Sequence, residues 1–239
     1  MRKVLPQRIF LTLLLALTGC RANNAASNSA PQPATQPAAS STAVPAAHTA
    51  PTQPTDARPI LVCFGDSLTA GAGTDPGQSY PDYLQAALDR RHTHYRVDNQ
   101  GISGNTTKDG LQRLPEVLAL HPAVVLVEFG GNDGLRGLPI ADTRANLAQI
   151  VATLQRAHIK VALAGITLPP DYGPDYIRQF DQTYTILAKK YRVPMIPFLL
   201  KDVYGVPGMM QPDRTHATAA GNQIVARNLL PLILPLLKK

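Results

Sequence analysis

From Pro59 onward, short aliphatic runs alternate with longer stretches whose apolar residues recur at helical spacing. A short continuous aliphatic run is the mark of a strand buried on both faces, and a 3.6-residue period that of a helix covering one side of a sheet. Strands are expected at Ile60–Phe64, Tyr95–Asn99, Ala123–Phe129 (AVVLVEF), Lys160–Ile166 and Met195–Phe198. Helices are expected at Ser79–Arg91, Lys108–Leu120, Thr143–His158 and Asp175–Tyr191, with Ala217–Leu230 closing the chain. Repeated strand–helix units joined by right-handed crossovers give a parallel sheet covered on both faces. Residues 59–239 are therefore expected to form an α/β domain, a three-layer α/β/α sandwich around a central five-stranded parallel sheet. Leu229–Leu237 is apolar but interrupted by Pro231 and Pro235, too short to span a bilayer, and is expected to pack with the last helix against the sheet.

The N-terminal quarter of the chain has another character. Arg2, Lys3 and Arg8 precede an apolar run, Ile9–Leu17, about half the length a permanent membrane helix needs, and Leu17-Thr18-Gly19-Cys20 follows. A basic flank, a short apolar core and small residues before a cleavage point describe a secretory signal peptide over residues 1–19. Its ending resembles the lipobox of bacterial lipoproteins, which implies cleavage before Cys20 and lipidation of its thiol. The expected location is the cell envelope, and, with Arg21 rather than an acid after the cysteine, the periplasmic face of the outer membrane if the cell is Gram-negative. Residues 20–58 join the anchor to the domain. Of the 38 residues after Cys20, 12 are Ala and 6 are Pro, and Val44 is the one large aliphatic, too little apolar surface to offset the entropy of ordering.

Charge follows the same division. The net charge of +7 falls mostly in the N-terminal segment, and residues 59–239 carry 18 basic against 15 acidic groups, so the domain has no electrostatic footprint for nucleic acid. With Cys20 lipidated, Cys63 is the one remaining thiol; inside the run ILVCF it reads as a buried side chain, not a nucleophile.

In an open parallel sheet, chemistry collects in the loops at the carboxyl ends of the strands, near the point where strand order reverses. Four such loops carry Gly65-Asp66-Ser67-Leu68-Thr69, Gly101-Ile102-Ser103-Gly104-Asn105, Gly130-Gly131-Asn132-Asp133-Gly134 and Asp213-Arg214-Thr215-His216. A serine hydroxyl becomes a nucleophile when a neighbouring base takes its proton, and an imidazole does this near neutral pH. His216 is the candidate base for Ser67, with Asp213 accepting the other ring N–H to fix the tautomer. The backbone N–H groups of Ser67 and Gly104 and the side-chain amide of Asn132 are candidate donors to the oxyanion of a tetrahedral intermediate. Asp-x-x-His occurs a second time, at Asp89 and His92, but these end a helix running antiparallel to the strands and belong at the opposite sheet edge. His92 and His94 lack the carboxylate or thiol partners of a metal site and read as solvated surface; no metal or other cofactor is expected. Asp66 and Asp133 read as loop-ordering or helix-capping acids, and Glu128 as a paired or edge-facing carboxylate rather than a second acid catalyst.

The four blocks together resemble the SGNH (GDSL) hydrolases, whose signature residues fall on Ser67, Gly104, Asn132 and His216. Further stretches, Asn99–Thr106, Gly110–Pro115, Val127–Gly137, Leu168–Gly173 and Val193–Phe198, are similar to the bacterial arylesterase, lysophospholipase and acyl-thioesterase branch. The resemblance implies a flavodoxin-like sheet, a Ser67–His216–Asp213 triad and an oxyanion hole of Ser67, Gly104 and Asn132. It also implies a substrate loop at Gly134–Pro139 and an acyl groove lined by Leu135, Leu138 and Leu168. Ala217 stands where the family usually has proline, a departure that leaves the base in place. The expected partner is a small acyl ester or lysophospholipid, with the membrane reached through Cys20. A carbohydrate O-deacetylase and a non-catalytic lipid-binding lipoprotein are the alternatives. A preference for acetyl over longer chains would mark the first, and ligand uptake without turnover the second.

Overall fold

The structure is a computed structural model and describes residues 56–237. The expected leader, the lipidation site at Cys20 and nearly all of the expected tether lie outside the described residues. Five strands, β1 (Ile60–Gly65), β2 (Arg96–Gly101), β3 (Val124–Glu128), β4 (Lys160–Ala164) and β5 (Met195–Ile196), pair in parallel in the order β2-β1-β3-β4-β5. The chain thus leaves β1 for one side of the sheet, then crosses back to add the remaining strands on the other. That reversal puts the switch point between β1 and β3, where ligand crevices form in open α/β sheets. In register, Gly65 lies opposite both Gly101 and Glu128, so the ends of three strands meet there.

The helices are α1 (Ser67–Ala70), α2 (Tyr80–Arg90), α3 (Thr107–Ala119), α4 (Gly131–Leu135), α5 (Ile140–Arg156), α6 (Pro174–Tyr191) and α7 (Ala219–Leu237). In the two outer layers α2 packs beside α7, α3 beside α5, and α5 beside α6. Two of these helices begin where the sequence supplies a reciprocal cap. Ser79 accepts from the Asp82 N–H while the Asp82 carboxylate accepts from the Ser79 N–H, and Thr106 and Asp109 do the same for α3. The core is the aliphatic matter of β1, β3 and β4, with Phe64, Phe129, Phe180 and Tyr184 fully buried around it. Cys63 is buried within it, its thiol pushed well up by desolvation.

The structure differs from expectation at several boundaries. β2 runs two residues further, through Gln100 and Gly101, and as an edge strand leaves Asn99 exposed and its other residues half-buried. β5 is only two residues long. α5 begins three residues earlier than expected, at Ile140. α7 starts at Ala219 and continues through Pro231 and Pro235 to Leu237. Each proline removes one helical N–H, yet Leu229, Leu230, Ile233 and Leu237 are all buried, and that packing holds the segment helical. Glu128 is not edge-facing: it ends the central strand β3 and is fully buried. No helix among the described residues is long and apolar enough to cross a membrane.

Candidate active site

Each of the four loops is shaped by its own local chemistry. Beyond β1, the Asp66 carboxylate accepts the Leu68 N–H at 3.0 Å and caps α1, so Ser67 is the first residue of a helix. The N–H of a first helical residue has no partner within its helix and is open to a ligand. Beyond β2, a turn closed by the Asn105 N–H on the Ile102 carbonyl (3.2 Å) places Gly104 third, at φ +82°, a conformation that favours glycine. Beyond β3, Gly130 turns the chain at φ +122°, where a Cβ would fall 2.3 Å from the Tyr184 hydroxyl, and Asn132 follows in α4. Asp133 is buried; its carboxylate accepts the Thr107 N–H at 2.8 Å and the hydroxyls of Thr107 and Thr143, tying α4 to α3 and α5.

The fourth loop precedes α7. Gln211 anchors it: its N–H reaches the His216 carbonyl at 2.8 Å, and its side-chain amide donates to the carbonyls of Ala72 (2.7 Å) and Ala217 (2.9 Å). The His216 Nε2 then lies 2.8 Å from the Ser67 Oγ, and its Nδ1 lies 2.7 Å from an Asp213 carboxylate oxygen. The second Asp213 oxygen accepts the N–H groups of Thr215 (2.9 Å) and His216 (3.0 Å). Desolvation works to raise the Asp213 carboxyl, but the hydrogen bonds from the His216 ring and from the two backbone N–H groups outweigh it and hold it at about 2. An ionised acceptor on Nδ1 fixes that nitrogen as the N–H and leaves Nε2 as the lone-pair atom facing the serine.

Ser67, His216 and Asn132 border one cleft of about 250 Å³ whose other wall is apolar, formed by Leu135, Ile166, Leu168, Phe198 and Leu200. Asn132 lies over the junction of two loops: its Nδ2 donates to the Asn105 carbonyl at 3.0 Å and to the Asp66 carboxylate at 3.2 Å. Three sites widely separated in the chain are thereby brought together at the carboxyl edge of the sheet. A hydroxyl, a base, an amide donor and an apolar trough in contact are the elements of acyl transfer.

Known ester hydrolases are similar to this chain. The sequence model of the GDSL-like Lipase/Acylhydrolase family matches residues 63–224. The chain belongs to the GDSL hydrolases. Esterase TesA of Pseudomonas aeruginosa is 43% identical over 187 residues, covering 78% of this chain and 92% of that protein. Thioesterase 1/protease 1/lysophospholipase L1 of Escherichia coli K12 is 38% identical over 178 residues, 72% of this chain and 84% of its own. A crystal structure of TesA superposes with a TM-score of 0.72 at 42% identity, covering 74% of this chain and 99% of that one. As a member of this family the chain is a serine ester hydrolase with the α/β fold of the SGNH enzymes.

Of the residues expected to line the groove in this GDSL hydrolase, Leu135 and Leu168 border the cleft and Leu138 does not. The Leu138 N–H is used on the Asp133 carbonyl at 2.9 Å, and its side chain stands 37% exposed. The decoy pair sits where expected: Asp89 accepts from Gln85 and lies 3.6 Å from Arg58, beside the start of β1, and His92 and His94 are exposed. Among the described residues no group of three His, Cys, Asp or Glu side chains could hold a metal ion. Sequence reasoning gave no role to the side chains that hold the loops. Arg113 donates to the Asn105 side chain (2.7 Å) and to the carbonyls of Gly65 and Gln100, Arg136 to the Gly104 carbonyl, and Tyr172 to the Leu135 carbonyl. No local pattern marks these, because each acts on a backbone carbonyl distant in the chain.

Proposed function

We propose that the protein hydrolyses acyl esters by an acyl-enzyme route, with Ser67 as nucleophile, His216 as general acid and base, and Asp213 as its orienting partner. The reading rests on one observation, the 2.8 Å approach of the His216 Nε2 to the Ser67 Oγ at the mouth of an apolar cleft. As the Oγ attacks the ester carbonyl carbon, its proton passes to Nε2 and the carbonyl π electrons become the oxyanion. The N–H groups of Ser67 and Gly104 and the Asn132 amide receive that oxyanion, each such donor contributing on the order of 3 kcal/mol. Collapse breaks the bond to the leaving alcohol, which takes the proton from His216. Water then attacks the acyl-serine, giving its proton to Nε2 and returning the serine hydroxyl with release of the acid.

The substrate class is an ester with an apolar acyl group, a lysophospholipid or a medium-chain or aryl ester. The apolar wall of Leu135, Leu168 and Phe198 supports this over a polysaccharide acetyl ester, for which such a wall has little to bind. The protein is also proposed to be exported and held at the cell envelope by lipidated Cys20, a reading supported by the lipobox-like Leu17-Thr18-Gly19-Cys20. A panel of p-nitrophenyl esters from acetate to decanoate, with lysophosphatidylcholine, run beside Ser67→Ala, tests the activity. Turnover that rises beyond acetate and vanishes in the variant is expected. Turnover retained by Ser67→Ala, or an acetyl-only preference, overturns the reading. Cys20→Ser should move the protein from the membrane fraction to the soluble one, and retention in the pellet would refute the anchor.

A further inference from the structure

Beneath the oxyanion donors lie two buried carboxyls that the mechanism does not use, Asp66 (2% exposed) and Glu128 (fully buried). They are joined: one Glu128 oxygen accepts the Asp66 N–H at 3.3 Å and the Thr69 hydroxyl at 2.7 Å, and Thr69 in turn meets the Tyr80 hydroxyl at 2.9 Å. The other Glu128 oxygen is buried with no partner. Asp66 turns the opposite way, one oxygen on the Leu68 N–H and the other on the Asn132 Nδ2.

This arrangement answers a question that the oxyanion hole itself poses. A side-chain amide can present either its NH₂ or its carbonyl to a cleft, and only the NH₂ stabilises an oxyanion. Both groups that meet the Asn132 Nδ2, the Asn105 carbonyl and the Asp66 carboxylate, are acceptors, so the NH₂ rather than the carbonyl lies between them, on a residue that borders the cleft. The bond to Asn105 is the shorter at 3.0 Å; the one to Asp66, at 3.2 Å, is long enough to be shared with a developing oxyanion. We propose that Asp66, seated by Glu128, is a positioning residue that aims the Asn132 amide at the oxyanion.

The inference rests on Asn132 being an oxyanion donor, and a double-mutant cycle separates the two ideas. kcat, KM and the affinity for phenylboronic acid, which adds to the serine as a tetrahedral mimic, are measured for Asp66→Ala, Asn132→Ala and the double variant, with folding checked by urea titration. Asp66→Ala should lower kcat about 10- to 100-fold and weaken the boronate by a similar factor with KM nearly constant, the range for misplacing a preorganised group. The double variant should fall no further than Asn132→Ala alone. Glu128→Ala should lose kcat in the same manner and Glu128→Gln, which keeps an acceptor oxygen for Thr69 and Asp66, should recover most of it. If Asn132→Ala leaves kcat and boronate affinity unchanged, the oxyanion reading itself fails. If Asn132→Ala is impaired but the two losses multiply in the double variant, or Asp66→Ala changes only KM, Asp66 does not aim the amide. Should Asp66→Ala fail to fold, Asp66→Asn serves in the same cycle, and the same multiplicative result overturns the proposal.

Discussion

Arg136, in the loop after α4, donates its Nη2–H to the carbonyl of Gly104, 2.9 Å away in the loop after β2. The bond joins the segment expected to bind the acyl chain to the turn that presents an oxyanion donor. The contact is solvent-exposed, so Arg136→Ala should cost at most about 0.5 kcal/mol of stability. Catalysis is more sensitive to placement than stability is, and kcat for a p-nitrophenyl ester should fall about 10-fold. Steady-state kinetics beside a urea midpoint checks this. An unchanged kcat would mean that Gly104 is held in place without Arg136.

Gly101 ends β2 where it touches the segment bearing the nucleophile. A Cβ there would lie 2.2 Å from the Ala70 nitrogen and 2.6 Å from the Thr69 carbonyl carbon, both backbone atoms that no rotamer change can move. Gly101→Ala should cost about 1–3 kcal/mol, the usual range for overpacking, and should lower kcat because α1 shifts relative to the Gly104 turn. Gly131→Ala makes the contrast. Its Cβ meets nothing nearer than 3.5 Å, and its denaturation midpoint should match the parent's. Equal stability losses in the two variants would contradict the steric account.

The buried carboxyls set a pH dependence of known sign. Desolvation raises Asp66 to about 6, and desolvation together with the charge of Asp66 raises Glu128 well above the usual carboxyl range. Between about pH 4 and pH 6 the folded chain keeps a proton on Asp66 that the unfolded chain has released, so stability falls as pH rises through that window. The size is on the order of 2–3 kcal/mol for a shift of this extent. Asp213 acts oppositely: held low, it contributes stability present above about pH 4 that is lost as pH falls toward 2. Urea midpoints from pH 4 to 7 should decline more steeply in the parent than in Asp66→Asn, where this titration is gone. Parallel curves for the two proteins would show that Asp66 does not carry the proton.

The legibility of this chain follows the range of its interactions. β1, β3 and β4 were readable because a strand buried on both faces must be aliphatic throughout, and Val124–Glu128 and Lys160–Ala164 lie within the expected runs. Ser67, Asn132, Asp213 and His216 were readable because a parallel sheet sends every strand end to one edge. α1 and α4, of four and five residues, are too short to display a helical period. The continuation of α7 through Pro231 was hidden because tertiary burial of Ile233 and Leu237 overrides a local signal. Glu128 is hydrogen-bonded as expected but not edge-facing, and nothing local in AVVLVEF reveals that its strand is the middle one. The loop suggests Leu138 for the groove as well, but the Leu138 N–H is held on the Asp133 carbonyl and the residue stands exposed, away from the cleft.

Acyl-chain length should be adjustable from behind the cleft wall. Gly134, in α4, lies against Leu168, and a Cβ at Gly134 would fall 2.5 Å from a Leu168 methyl and 3.0 Å from the Phe180 ring. The methyl is the far end of a flexible side chain, whereas Phe180 is fully buried and has less room to give. Leu168 therefore moves, and because it forms part of the cleft wall it moves into the space assigned to the acyl chain. Each methylene excluded forfeits about 0.8 kcal/mol of apolar burial, or roughly fourfold in kcat/KM. Gly134→Ala should accordingly shift the optimum toward shorter acyl groups, with decanoate losing more than butyrate, at a stability cost of about 1–3 kcal/mol. The measurement is kcat/KM across the p-nitrophenyl ester series. A uniform loss at every chain length would show that the acyl group does not pass Leu168 and would direct attention to the Phe198 side of the cleft instead.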